Sequence, residues 1–220
     1  MEIIARLQNA RLYGILDLGY VTENEAPAVA RLMLEGGVQV LQLRAKQMDA
    51  LRFSALARIL APLCRADRVP FILNDHPGLV RETGADGAHV GQDDMSVVAA
   101  RQLAGEGAII GKSTHCLAQA IAAQDEAPDY IGFGPLFATA TKPDYQPIGL
   151  SEIPAVSDKL ALPVFCIGGI KRENLPAVIS AGAERVVIVS GILQARDIAA
   201  YCRECLAVIA ARNPTRKTSL

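Results

Sequence analysis

Glu35-Gly36-Gly37-Val38-Gln39-Val40-Leu41-Gln42-Leu43-Arg44-Ala45-Lys46 reads as a helix end, a glycine turn, a short apolar strand and a polar strand tip. The same sequence of events recurs along the chain. Thr83-Gly84-Ala85-Asp86-Gly87, Ala127-Pro128-Asp129-Tyr130 and Ala181-Gly182-Ala183-Glu184 each lead from helical periodicity into an apolar run. Glycine at such a junction supplies the left-handed residue that ends a helix. The echoes fall about two strand–helix units apart, which suits a repetitive architecture.

Outward from that stretch, strands are expected at Leu12–Leu18, Val38–Ala45, Pro70–Asp75, Gly87–Gln92, Ala108–Thr114, Asp129–Pro135, Pro163–Gly169 and Arg185–Gly191. Most are nearly continuous apolar segments, as strands covered on both faces must be. Helical periodicity fills 24–35, 49–66, 77–83, 96–104, 116–126, 150–160, 172–181 and 192 onward, with Asn24, Asp49, Ser96 and Ser151 placed as caps. Eight such units predict an α/β fold, a single-domain (β/α)8 TIM barrel over residues 1–211; an open doubly wound sheet is the alternative. The polar, basic stretch 212–220 is expected to fray.

Composition excludes several classes. The chain has 220 residues, 51% hydrophobic and 20% charged, with a net charge of −1. Disorder is excluded, and no general basic field exists to hold nucleic acid. Aromatic residues make up 5% and tryptophan is absent, so base-stacking platforms are poorly supplied. No stretch approaches the roughly 18 uninterrupted apolar residues of a membrane helix, and the N-terminus lacks a signal-peptide design, so a cytoplasmic protein is expected. The five cysteines are scattered and odd in number, unlike a disulfide framework. Cys202-x-x-Cys205 lacks the second ligand pair a structural zinc needs and reads as solvent-side or semi-buried thiols on a terminal helix.

In a parallel barrel, chemistry gathers at the C-terminal strand ends. At the second strand, Gln42, Arg44 and Lys46 share one face and Leu43 and Ala45 the other. Two cations facing inward suit a mouth that receives an anion; surface charges just past the strand are the plain alternative. The third and fourth strands end Asn74-Asp75 and Gly91-Gln92-Asp93-Asp94. Paired carboxylates on neighbouring strands fit Mg2+ shared with substrate phosphates; helix capping by Asp75 and Asp94 is the competing role. In the fifth strand Ser113 shares a face with Gly111, and Lys112 points away. His76, His89 and His115 read as packing or helix-start histidines, and no convincing Ser-His or Cys-His pair is legible. The long connection at 136–148 carries Thr139, Thr141 and Lys142, an anion-receiving set. Gly168-Gly169 and Val189-Ser190-Gly191 end the seventh and eighth strands, where barrels of this kind build phosphate sites. Two anion sites, one cationic and metal-assisted and one built of amides, imply a barrel that joins two phosphorylated substrates or moves a group away from a diphosphate.

Taken in order, Gln42-Leu43-Arg44-Ala45-Lys46, Asn74-Asp75, Gly91-Gln92-Asp93-Asp94, Gly111-Lys112-Ser113-Thr114-His115, Gly132-Phe133-Gly134-Pro135, Thr139-Ala140-Thr141-Lys142-Pro143, Ile167-Gly168-Gly169-Ile170 and Val189-Ser190 resemble the thiamine-phosphate synthase family over residues 12–195. The resemblance implies a TIM barrel that couples a hydroxymethylpyrimidine diphosphate with a thiazole phosphate and releases pyrophosphate. It implies that Gln42, Leu43, Arg44, Ala45, Lys46, Asn74, Ser113 and Lys142 meet the pyrimidine diphosphate, with Arg44, Ser113 and Lys142 acting on the departing group. It places Mg2+ on Asp75 and Asp94, and the thiazole phosphate on Thr139, Thr141, Gly169, Val189 and Ser190. The implied partners are these small molecules, without nucleic acid or membrane; a homo-oligomer is left open. Three positions depart from the family pattern: Ala45 stands for a glutamate, Lys112 for a small apolar residue, and Asp17-Leu18-Gly19-Tyr20 is an atypical first strand end. A thiazole tautomerase branch would carry histidine where this chain has Pro135. A single-ligand isomerase and a non-catalytic binding barrel are the competing functions.

Overall fold

The computed structural model describes residues 2–92, 94–139 and 146–211. Eight strands, β1 (Leu12–Asp17), β2 (Val40–Arg44), β3 (Phe71–Asn74), β4 (Gly87–Val90), β5 (Ile109–Thr114), β6 (Tyr130–Phe133), β7 (Val164–Cys166) and β8 (Arg185–Ile188), form a closed barrel in chain order. All neighbours are parallel. The ring closes between β1 and β8, with Leu12 opposite Val186 and Gly14 opposite Ile188. The open doubly wound alternative is thereby set aside. Each expected strand is present, shortened at one or both ends.

The outer layer comprises α2 (Ala26–Glu35), α3 (Ala50–Ala66), α4 (Val80–Thr83), α5 (Val97–Ala104), α6 (Leu117–Asp125), α7 (Ile153–Lys159), α8 (Leu175–Ser180), α9 (Ser190–Leu193) and α10 (Ile198–Ala210). The helix α3 shows why these segments lie on the sheet. Phe53, Leu56, Ala57, Leu60, Ala61 and Cys64 recur at helical spacing and are all buried. Asp49 and Ser96 cap α3 and α5 by accepting from Arg52 N and Ala99 N. Asn24 and Ser151 are not caps. The residue before α2 is Glu25, whose carboxylate turns back to Thr22, and the residue before α7 is Glu152, whose carboxylate accepts from Leu117 N at the start of α6.

One helix was not expected. The first helix, α1 (Glu2–Asn9), closes the N-terminal end of the barrel. Its Leu7, with Ala10 beyond it, packs into the interior cluster with Tyr13, Val40, Ile72, Ile109, Tyr130, Phe165 and Val187, and Ile3 and Ile4 lean on the same cluster. The apolar spacing of Ile3, Ile4, Leu7 and Ala10 is that of one helical face.

The periodic echo has a structural cause. Gln39, Asp86 and Asp129 stand immediately before β2, β4 and β6. Each grips one residue of the preceding strand at two points. Asp129 donates its N–H to Ile110 O at 2.8 Å and accepts from Ile110 N at 2.7 Å. Asp86 does the same to Phe71, and Gln39 to Leu12. The side chain thus supplies an acceptor for an amide at the strand's start, a group that would otherwise be buried unpaired. The turns before these brackets contain positive-φ residues at Gly37, Gly84 and Ala127.

Cys202 and Cys205 are fully buried on the inner face of α10, not solvent-side or semi-buried. A Cβ on Gly36 would come within 2.6 Å of Cys202 Cβ, so α10 sits directly on the end of α2. Burial pushes the thiols of Cys64, Cys166, Cys202 and Cys205 up to about 12, whereas Cys116 is partly exposed.

Two outcomes are expected. A thiol reagent at neutral pH titrates Cys116 in the native protein and all five cysteines only after unfolding. Asp129→Ala strands the Ile110 amide and removes the carboxylate partner that the Arg101 guanidinium meets at 3.1 Å, leaving Arg101 its carbonyl contacts at Ala108 and Ala127. It should lower stability by about 1–3 kcal/mol in a denaturant titration.

Candidate functional site

Above the interior cluster, the C-terminal strand ends surround a solvent-open cavity. Its lining includes Gln42 and Arg44 from β2, Asn74 from β3, His89 from β4, Ser113 from β5, and Thr139, Gly169, Val189 and Ser190 from the segments after β6, β7 and β8. Eight residues proposed from sequence, Gln42, Arg44, Asn74, Ser113, Thr139, Gly169, Val189 and Ser190, are therefore brought to one place. An adjoining cleft, lined by Asp17, Arg44, Ala45, Lys46 and Arg52, shares Arg44 with the cavity. Thr141 and Lys142 lie outside the described residues, as does Asp93.

Beneath the cavity floor lies an aromatic layer. Phe165 meets Tyr13 and Tyr130 edge-on, at ring separations of 5.4 and 5.6 Å. The phenols join overhead at 2.9 Å, and Gln42 Nε2 donates to Tyr13 Oη at 2.7 Å. Burial raises both phenols well above their ordinary range, so each keeps its proton. Gly111 makes the space: a Cβ there would lie 2.1 Å from Tyr130 Cζ and 2.5 Å from His89 Nδ1.

His89 is a site residue that sequence reading passed over. Its Nδ1 lies 3.0 Å from Tyr130 Oη and its Nε2 2.9 Å from Ser113 Oγ. A Ser–His contact therefore exists, contrary to the expectation from sequence. It differs from a nucleophile's pair, because the far nitrogen of the imidazole meets a neutral phenol rather than a carboxylate. The signal was recoverable only by noting that His89, Gly111, Ser113 and Tyr130 occupy interior-facing positions on three adjacent strands.

The cations are anchored by carboxylates. Arg44 Nη1 donates to Asp17 Oδ2 at 2.6 Å, and Gly19 N to Asp17 Oδ1 at 2.9 Å. Asp17 is 2% exposed, so the atypical end of β1 is the buried counter-charge of Arg44. Lys46 Nζ and Asn74 Nδ2 both reach Asp75 Oδ2 at 2.6 Å. The Asp75 backbone has φ +63 and donates to His89 O, which ties the tip of β3 to β4. Asp94 Oδ2 accepts from Gly91 N at 2.6 Å. Neither aspartate caps a helix; those positions belong to His76 and Ser96. Among the described residues no group of three or more histidines, cysteines and carboxylates is arranged to hold a metal.

Two side chains turn away from the cavity. Leu43 is fully buried in the helix-facing core, and Ala45 packs in the same layer at the edge of the adjoining cleft. Lys112, 4% exposed, also points outward, and its ammonium donates to Met95 O at 3.2 Å. On the opposite side, Gly168 and Gly169 have φ of +98 and +64. A Cβ on Gly168 would lie 2.4 Å from Pro135 Cα, and one on Gly169 2.7 Å from Ala138 O. Only glycine fits this wall.

The chain matches the family model described as thiamine monophosphate synthase over residues 12–192. It is 38% identical over 207 residues to the thiamine-phosphate synthase of Chloroflexus aurantiacus, covering 94% of this chain and 95% of that protein. It is 40% identical over 207 residues to the enzyme of that name from Pelotomaculum thermopropionicum, with the same coverage. A thiamine phosphate pyrophosphorylase structure from Pyrococcus furiosus superposes with a TM-score of 0.85 at 28% identity, over 94% of this chain and 98% of that one. A closed eight-stranded barrel, a shared mouth of cationic and glycine-built walls, and these similarities lead to one assignment: the chain belongs to the thiamine monophosphate synthase family of transferases.

Proposed function

We propose that the chain joins a hydroxymethylpyrimidine diphosphate to a thiazole phosphate, forming thiamine phosphate and pyrophosphate. The observation that carries this reading is the convergence of two chemically different walls on one cavity. Arg44 and Asn74 stand on one side of it, and Gly169, Val189 and Ser190 on the other. The first wall suits a diphosphate and the second a monophosphate.

In the step proposed, the bond between the pyrimidine methylene carbon and the diphosphate oxygen breaks, and pyrophosphate takes the electron pair. The pyrimidine amino group donates electron density to the cationic methylene. The thiazole nitrogen lone pair then forms the new carbon–nitrogen bond. The protein need supply no nucleophile. Its part is to hold both substrates in line and to aim fixed positive charge at the departing oxygens. Arg44, already oriented by Asp17, contributes that charge from the end of β2, Lys46 from the segment just past it, and Lys142 from the connection after β6. Ser113 donates a hydroxyl hydrogen. Glycine amides at 168–169 and the Ser190 hydroxyl hold the thiazole phosphate.

Asp75 and Asp94 would hold Mg2+. The donor set fits a hard dication: both groups are carboxylates on neighbouring strand ends, and the contacts to Asp75 use Oδ2 only, leaving Oδ1 without a hydrogen bond among the described residues. When bound, the ion supplies Lewis-acid charge against the leaving diphosphate.

Purified protein given both substrates should release pyrophosphate with Mg2+ and stop with chelator. Thiazole turnover without the pyrimidine, indifferent to chelator, would indicate a tautomerase, and saturable binding without product a binding barrel. Asp75→Asn keeps a residue type that tolerates positive φ and should raise the Mg2+ needed for half-maximal rate by about tenfold or more. Lys142→Ala should lower kcat by about 10²–10³-fold if its charge acts at the transition state. Wild-type kinetics would remove that role.

A further inference from the structure

Five side chains at and beneath the cavity floor are linked in series by hydrogen bonds: Gln42 to Tyr13 at 2.7 Å, Tyr13 to Tyr130 at 2.9 Å, Tyr130 to His89 at 3.0 Å, and His89 to Ser113 at 2.9 Å. They come from β2, β1, β6, β4 and β5 in turn, so the chain crosses the barrel from wall to wall.

Counting hydrogens gives this chain a direction. The Gln42 amide nitrogen can only donate. Tyr13 Oη therefore accepts, and the one hydrogen of this buried phenol has Tyr130 Oη as its partner. If Tyr130 donated to Tyr13 instead, the Tyr13 hydrogen would be buried with no acceptor, at a cost of about 1–3 kcal/mol. Tyr130 then gives its own single hydrogen to His89 Nδ1. A neutral imidazole that accepts at Nδ1 carries its hydrogen on Nε2. That hydrogen goes to Ser113 Oγ, and the Ser113 hydroxyl hydrogen is left to point into the cavity that Ser113 lines.

We propose that Tyr13 and Tyr130 are positioning residues that lock His89 in its Nε2–H form and so make Ser113 an obligate hydrogen-bond donor to an anionic oxygen of the substrate. The two phenols touch no substrate; they act through His89. The cavity floor is thereby a polarity filter. It accepts a ligand that presents an acceptor toward β5 and repels one that presents a donor there. This deepens the function proposed above and rests on it for the identity of the oxygen, which belongs to the pyrimidine diphosphate.

The test combines a spectrum with kinetics. In 15N-labelled protein at alkaline pH, the imidazole nitrogens of His89, assigned by their loss in His89→Gln, should show the Nε2–H tautomer alone. In Tyr130→Phe the tautomers should mix, and kcat should fall by about 10- to 100-fold while KM for the pyrimidine diphosphate moves by less than about threefold. Tyr13→Phe should give a smaller loss in the same direction, because Tyr130 still has a hydrogen for His89. An Nδ1–H tautomer in the wild type, or an unchanged kcat in Tyr130→Phe, would overturn the proposal. If Tyr130→Phe does not fold, the wild-type spectrum and the Tyr13→Phe kinetics decide the matter. A wild-type protein that turns over no pyrimidine diphosphate defeats the substrate reading instead, and the spectrum alone then judges the hydrogen-bond chain.

Discussion

Closure of eight parallel strands into a ring leaves each side chain two destinations, the barrel interior or the layer beneath the helices. The interior has to be filled, and here Tyr13, Tyr130 and Phe165 fill its middle level with three mutually packed rings. Above that level the barrel opens into the cavity, where polar side chains share the wall with aliphatic ones. Residues two positions further along the same strands inherit the mouth: Ile15 after Tyr13, Gly132 after Tyr130 and Ile167 after Phe165 line the cavity. The missing side chain at Gly111 is part of the same solution, because the volume it leaves is taken by the Tyr130 and His89 rings. A polar floor resting on an aromatic layer is what allows neutral donors and acceptors to keep fixed directions.

The same alternation explains two departures from the family pattern. Ala45 and Lys112 both face the helix layer. A buried ammonium there is tolerated because it has a carbonyl partner at Met95. The contact couples the segment bearing Gln92 and Asp94 to the strand bearing Ser113, and Gln92 reinforces the link by donating to the Ser113 carbonyl. Lys112 thus braces the site from behind. The third departure, Asp17, works at the mouth itself, where a buried carboxylate orients Arg44 without neutralising the whole cationic wall.

Local pattern made the barrel legible. Eight apolar runs alternated with eight stretches of helical spacing, and the inward face of Gln42 and Arg44 followed from period two alone. What stayed hidden depended on partners distant in sequence. Asp17 and Arg44 are 27 residues apart, and Tyr13 and Tyr130 are 117 apart. Along the chain His89 is a lone histidine, for which packing is the ordinary role, and its importance comes from neighbours on β5 and β6. The caps at Asn24 and Ser151 failed because the turns before α2 and α7 run one residue longer than the cap rule assumes, placing Glu25 and Glu152 at the helix starts. The first helix is hard to read from sequence because its apolar face is short and meets the barrel end rather than the sheet.

The two-point brackets at Gln39, Asp86 and Asp129 give the barrel a grain. Each clasps the strand before it, pairing β1 with β2, β3 with β4 and β5 with β6, and none of the three spans the seams between those pairs. The natural module is therefore two strands with their helices. New chain ends introduced by circular permutation at the β2–β3 or β4–β5 seam leave every clasp inside a continuous segment. A breakpoint between β3 and β4 parts Asp86 from the amide it serves, and turns a contact between near neighbours into one that the chain must find across its whole length.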